Sequence, residues 1–138
     1  MIAANELRMG SLIEKDNVMY KFLSLEQNHT STSEYRWYWV ETLDGKLGHY
    51  YYSHFKPITL TPEILEKCGF ERQNYEWAIN KLNESDDSCF CLFDMNYNSG
   101  DLLLELNAAY CPCPKVEHLH QLQNLYFALT GEELTYTP

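Results

Sequence analysis

Tyr35, Trp37 and Trp39 alternate with Arg36, Tyr38 and Val40, and an Asp44-Gly45 pair follows within a few residues. Bulky aromatic and β-branched side chains at period two fit a pleated strand packed on at least one face. Asp-Gly between two such runs predicts a two-residue hairpin turn. The return strand is read from Lys46 to Tyr52, KLGHYYY. Neighbours along a strand point to opposite faces, so Tyr35, Trp37, Tyr38, Trp39, Tyr50, Tyr51 and Tyr52 cannot all enter one core. Some rings pack across the strands inside the domain; the rest face solvent or another element. Tyr and Trp dominate interface hot spots, so Trp37, Trp39 and Tyr51 are candidate anchors for a protein partner.

The neighbouring segments extend this pattern. Val18 to Leu25 (VMYKFLSL) is a further strand, and Gln27 to Ser33 is a polar loop. A short helix is expected over Thr61–Cys68: Thr61 as N-cap, Pro62 at the first helical position, Gly69 as terminator. Three more strands follow at Tyr75–Leu82, Cys89–Met95 and Leu102–Leu106, separated by the acidic NESDDS loop and the NYNSG turn, with Ala108–Pro114 as a connector. Val116, Leu119, Leu122, Leu125, Tyr126 and Leu129 then recur at three- and four-residue steps. They predict a four-turn amphipathic helix over Lys115–Thr130, closed by Gly131, with Leu122 and Leu129 in the core. Glu132 to Pro138 is read as a short tail.

The expected fold class is α+β: an antiparallel β-sheet or small partly closed barrel, with a short middle helix and a long C-terminal amphipathic helix. Residues 1–138 are read as a single compact domain. Within it, 1–60 form a strand meander and 61–138 hold a helix, strands and the C-terminal helix.

Charge decides which partners to expect. The 138 residues carry 10 Lys plus Arg and 20 Asp plus Glu, a formal net charge of −10. That balance argues against direct nucleic-acid binding and against docking on an anionic membrane. Residues 1–60 hold seven acids and six bases, whereas residues 61–107 hold ten acids and three bases. Glu84, Asp86, Asp87 and Asp94, with Asp101 and Glu105, would form a negative face suited to a basic groove of a nucleic-acid-binding protein. The opening residues MIAANELRMG show neither a basic stretch nor an apolar run, and no stretch of about 20 apolar residues occurs. With five Cys, an odd count, this leads to the expectation of a cytoplasmic protein with free thiols.

The remaining chemistry is sparse. Cys89, Cys91, Cys111 and Cys113 offer four thiolates, with His118 and His120 nearby, and four such ligands complete a closed zinc site. Yet C-x-C on a strand separates the two sulfurs, whereas structural zinc sites use C-x₂₋₄-C. No cofactor or resident metal is expected. No glycine-rich phosphate loop and no motif around a nucleophile appears, so no enzymatic activity and no catalytic residue is expected.

Three blocks carry a resemblance. They are Asn5-Glu6-Leu7-Arg8-Met9-Gly10, the run from Lys56 to Phe70 (KPITLTPEILEKCGF), and the run from Val116 to Leu134 (VEHLHQLQNLYFALTGEEL). Together they resemble a family of small uncharacterised proteins from phages, prophages and mobile elements of Bacteroidetes-type bacteria. The HQLQNLYFALTGEEL stretch is the specific part. The resemblance implies a cytosolic, phage-related protein of the bacterial host cell, and it carries over no catalytic residues. Two functional expectations follow. One is a non-enzymatic protein-interaction module, an acidic inhibitor of a bacterial nucleic-acid-targeting defence effector in the manner of an anti-CRISPR protein. The other is a thiolate-rich metal-binding module with a structural or regulatory role.

Overall fold

In a computed structural model the chain runs β1 (Leu12–Lys15), β2 (Val18–His29), β3 (Glu34–Thr42), β4 (Leu47–Tyr51), α1 (Pro62–Lys67), β5 (Glu71–Gln73), β6 (Glu76–Asn80), β7 (Cys89–Asp94), β8 (Leu102–Leu106), β9 (Ala109–Cys111) and α2 (Leu119–Thr130). The structure describes residues 2, 4–29, 34–73, 76–80, 89–94, 102–106, 109–111 and 116–138, with the strands between 76 and 111 given by their backbone pairing. It is an α+β fold with two antiparallel sheets, in the orders β1-β2-β3-β4 and β5-β6-β7-β8-β9. The chain divides into two compact units. One contains residues 1–59 and 118–131, the other 60–117 and 132–138. The C-terminal helix therefore belongs with the first sheet, not with the residues that precede it in sequence.

The first sheet is open. Its two-residue hairpin turn lies between β1 and β2, where Asp16 and Asn17 both take positive φ, 52° and 61°. That is the conformation such tight turns require, and Asp and Asn tolerate it. Asp44-Gly45 departs from the expected two-residue turn. Gly45 N–H bonds to Thr42 O at 2.9 Å and Thr42 N–H to Lys46 O at 2.9 Å, giving a three-residue loop with Gly45 at φ +90°. β2 also runs through Gln27 to His29, residues expected in a loop, because they pair with Glu34, Tyr35 and Arg36. Closure toward a barrel stops at one bridge: Lys56 exchanges backbone hydrogen bonds of 2.8 and 3.0 Å with Glu14 on the β1 edge.

The inner face of this sheet is aromatic. Ile13, Tyr20, Phe22, Tyr38, Val40 and Phe55 are buried together with Ile2, and Tyr50 packs against them. Phe22 meets Tyr38 edge-on at 5.0 Å, and Tyr38 stacks on Phe55 at 5.7 Å. Offset and edge-to-face pairs are the favourable geometries of ring quadrupoles. Gly48 is required here: a Cβ at that position would lie 2.4 Å from the Tyr50 ring.

α2 packs on this sheet and is shorter than expected. Residues before it are held extended, with His118 bridged to Thr59 and Leu119 N–H bonded to Ile58 O at 2.9 Å. A helix cannot start while its first residues serve as a strand partner, so three turns remain instead of four. Gly131, at φ +72°, closes it, its N–H reaching Phe127 O at 2.8 Å. Leu119, Leu122 and Tyr126 are buried, but Leu129 is 42% exposed, against expectation.

In the second unit Thr61 caps α1, its Oγ1 accepting from Ile64 N–H at 3.3 Å. Gly69 (φ +87°) ends it, with Gly69 N–H on Glu66 O and Phe70 N–H on Leu65 O. That paired bonding is the Schellman arrangement, and Leu65, Cys68 and Phe70 are buried around it. The terminal segment is more than a tail: Leu134 is buried and Thr137 N–H bonds to Lys67 O at 2.8 Å. The second sheet departs from the sequence reading in two short strands. Residues 71–73 pair with β6, and residues 109–111, read as connector, pair with β8. No helix among the described residues is long and apolar enough to cross a membrane.

Candidate functional site

The outward rows of the first sheet are built by alternation. Tyr38 and Val40 point into the core, so Trp37 and Trp39 point away from it. The register then aligns Glu26, Trp37 and Tyr51 in one row and Ser24, Trp39 and His49 in the next. Paired residues of adjacent strands share a face, and their side chains touch. The His49 ring stacks on the Trp39 indole at 4.2 Å and 16°, and lies 5.2 Å from Trp37. Trp37 meets Tyr51 edge-on at 5.6 Å. The three sequence-predicted aromatics thus form one continuous strip with His49. Trp39 is 40% exposed, and Tyr35, one step further along β3, is 44% exposed.

Glu26 stands at the β2 end of the first row, beside this strip. One carboxylate oxygen accepts from Trp39 Nε1 at 3.2 Å and lies 3.3 Å from His49 Nε2; the other accepts from Asn28 Nδ2 at 3.0 Å. The hydrogen bonds from Asn28 and Trp39 hold its carboxyl below the usual carboxylate range. The two acids of β3 each carry a base: Glu34 bonds Arg36 at 2.8 Å and Glu41 faces Lys21 at 3.5 Å. Glu26 and His49 were missed by sequence reasoning; His49, two residues before Tyr51 on β4, shares its face by simple alternation, whereas Glu26 was hidden by a β-bulge between Phe22 and Ser24. The bulge shifts β2 by one residue, so that Glu26 opposes Trp37 on the outer face.

The other predicted residues stand apart from this strip. Glu84, Asp86, Asp87 and Cys113 lie outside the described residues. Asp94 ends β7, opposite Leu102. Cys91 stands in the row Ala78–Cys91–Glu105–Tyr110, with Cys89 two residues away on the same strand. Cys111 stands in the adjacent row Trp77–Leu92–Leu104–Cys111. The pairing thus places Cys111 in a different row from Cys89 and Cys91. No group of three potential metal ligands occurs among the described residues. Cys68 is buried, which pushes its thiol up to about 11 and leaves it a poor nucleophile at neutral pH.

A second constellation, also unforeseen, ties α2 to the segment before β1. The buried Gln123 amide accepts from Leu12 N–H at 2.8 Å and donates to Gly10 O at 3.1 Å. Asn124 donates to Glu6 O at 2.7 Å, and Arg8 Nε donates to Asn124 Oδ1 at 2.9 Å. His120 is buried with Nε2 3.2 Å from Glu6. Residues of the segments Asn5–Gly10 and Val116–Leu134 therefore meet in one seam, where they are used for packing and hydrogen bonding.

Burial pushes the His120 pKa below the ordinary imidazole value, against the opposing pull of Glu6 and with the help of His118. A histidine whose folded pKa is depressed favours folding while neutral. Its contribution is full above about pH 6.5 and declines as the pH falls from there toward the folded pKa. The first unit is expected to lose stability between pH 7.5 and 5.5, with a shallower loss in His120→Gln. Urea midpoints at the two pH values check this; a wild type that gains stability on acidification relative to His120→Gln would show that the Glu6 ion pair wins instead.

Comparisons with protein-family models, with curated proteins and with solved structures found no match for this chain.

Proposed function

We propose that the chain is a non-enzymatic protein-interaction module that docks a protein partner through the outer rows of its first sheet. The carrying observation is the aromatic strip of Trp37, Trp39, His49 and Tyr51, presented on the face opposite the core. Rings held in place by their neighbours lose little entropy on binding, which suits them as anchors. The partner is a basic protein. The unit bearing the strip is nearly neutral, with seven acids and six bases, while the other unit holds thirteen acids and four bases. Such a field steers a positively charged protein toward the molecule, and the strip supplies the short-range contact. Basic surfaces are characteristic of proteins that handle nucleic acid. With the resemblance to phage-type proteins, this supports an inhibitor of a host nucleic-acid-targeting effector.

The test compares capture from bacterial host lysate by wild type and by the Trp37→Ala/Trp39→Ala double variant. A protein retained by wild type and lost with the double variant is expected. Against that protein, Trp37→Ala should speed dissociation by tenfold or more, the effect of a hot spot of about 2 kcal/mol. Neutralising Asp86, Asp87 and Asp94 should slow association and flatten its salt dependence. Equal capture by both proteins would remove the strip from the mechanism.

A further inference from the structure

The charges around the strip narrow what it takes. The chain's own cations stack on other rings: Lys15 over Tyr50 at 4.9 Å, Arg36 over Tyr52 at 6.0 Å, Arg8 over Phe127 at 4.3 Å and Lys67 over Tyr136 at 6.0 Å. Among the described residues none is placed over Trp37, Trp39 or Tyr51. Glu41, on the same outer face, is matched by Lys21, whereas Glu26 is held by the indole N–H of Trp39, the Asn28 amide and His49. An ionised carboxylate at the edge of an indole and imidazole stack, with no arginine or lysine paired to it among the described residues, is complementary to a cation with an extended flat surface. Guanidinium meets that description best: it is planar, weakly hydrated, stacks on aromatic faces and directs several N–H donors to a carboxylate.

We infer that the strip recognises an arginine side chain of the basic protein partner, the guanidinium stacking on Trp37 or Trp39 and donating to Glu26. This rests on the interaction-module reading and adds the chemistry of the contact. Glu26 has a second role: by accepting from Trp39 and engaging His49 it fixes the rings against which the cation packs. Lysine, a compact and strongly hydrated charge, uses such a site less well. Single-stranded nucleic acid would use the ring faces but not the carboxylate, which repels phosphate.

The probe is the short peptide acetyl-Arg-Gly-Arg-amide, with its citrulline counterpart as the neutral isostere, titrated into the full chain at 150 mM salt. The readout is the indole N–H resonances of Trp37 and Trp39, assigned by single Trp→Phe variants. The arginine peptide is expected to shift both resonances saturably, and the citrulline peptide is not. Glu26→Gln, which keeps an oxygen for Trp39, should weaken the peptide by about tenfold while leaving the rest of the spectrum in place. Equal shifts with citrulline, or an unchanged affinity in Glu26→Gln, overturn cation recognition and leave aromatic docking standing. An oligothymidylate that shifts these resonances when the arginine peptide does not overturns it in favour of base stacking. Silence of both indoles toward every probe also overturns it; the wider reading is then decided separately by the loss of capture in the Trp37→Ala/Trp39→Ala variant.

Discussion

Leu122→Ala is expected to destabilise the first unit by about 2–5 kcal/mol, and Leu129→Ala by no more than about 0.5 kcal/mol. Both leucines fall on the apolar stripe of one helix, seven residues apart, so periodicity alone assigns them the same environment. The structure separates them. Leu122 has no exposed surface and lies among Leu119, Gln123 and Tyr126, all buried, while Leu129 is 42% exposed. Removing three carbons from the first site forfeits their transfer energy and leaves a void that close-packed neighbours fill only in part. At the second site water already covers part of the side chain. Hydrogen exchange of β2 and β3 amides under mild denaturant reads this unit alone and checks both numbers. Equal costs at the two positions would mean that the last turn is seated as firmly as the middle one.

The contrast shows what the sequence could carry. Alternation in Tyr35–Val40 placed the strands, and the spacing of Leu119, Leu122 and Tyr126 placed the helix, because each pattern reports a local period. Where two elements meet is not periodic. His120, Gln123 and Asn124 make the bonds that seat α2, all before its last turn, and those bonds reach Glu6, Gly10 and Leu12, more than a hundred residues away. No local rule could have told that Leu129 overruns this seat. The same holds for the aromatic strip. Its rings were legible, since a strand must turn alternate residues outward. Glu26 was not, because its side of the sheet depends on one bulged residue between Phe22 and Ser24. Stop signals were easier to place than start signals: Gly69 and Gly131 end α1 and α2 as expected. Thr61-Pro62 marked the beginning of α1, but Lys115 did not begin α2, since extended pairing of His118 with Thr59 took precedence over helical propensity. A two-residue turn was visible in principle at Asp16-Asn17; it was overlooked because β1, at four residues, is too short to show an alternation of its own.

Gln123→Met should be nearly as damaging as the loss of Leu122, although it removes almost no volume. Methionine matches the length and shape of glutamine, so packing in the seam is retained and the change isolates the hydrogen bonds. Two backbone groups then lose their partner: Leu12 N–H, at the start of β1, and Gly10 C=O. Gln123 is 3% exposed and Leu12 4% exposed, so water does not take the amide's place without opening the seam. A buried group left unsatisfied costs about 1–3 kcal/mol, and the Gly10 carbonyl, only part-buried, falls at the low end of that range, so the variant is expected to lose about 2–4 kcal/mol. The loss should be local before it is global. Gly10 N–H also bonds to Phe22 O and Phe22 N–H to Ser11 O, so the segment freed by the substitution is the one that continues the β1 edge of the sheet. Amide exchange at Leu12 should therefore accelerate about 30-fold or more in Gln123→Met, while amides of β3 and β4 change less. If Leu12 remains as protected as in wild type, the seam is held by apolar packing of α2 alone, and the bonds of Gln123 specify its register without stabilising it.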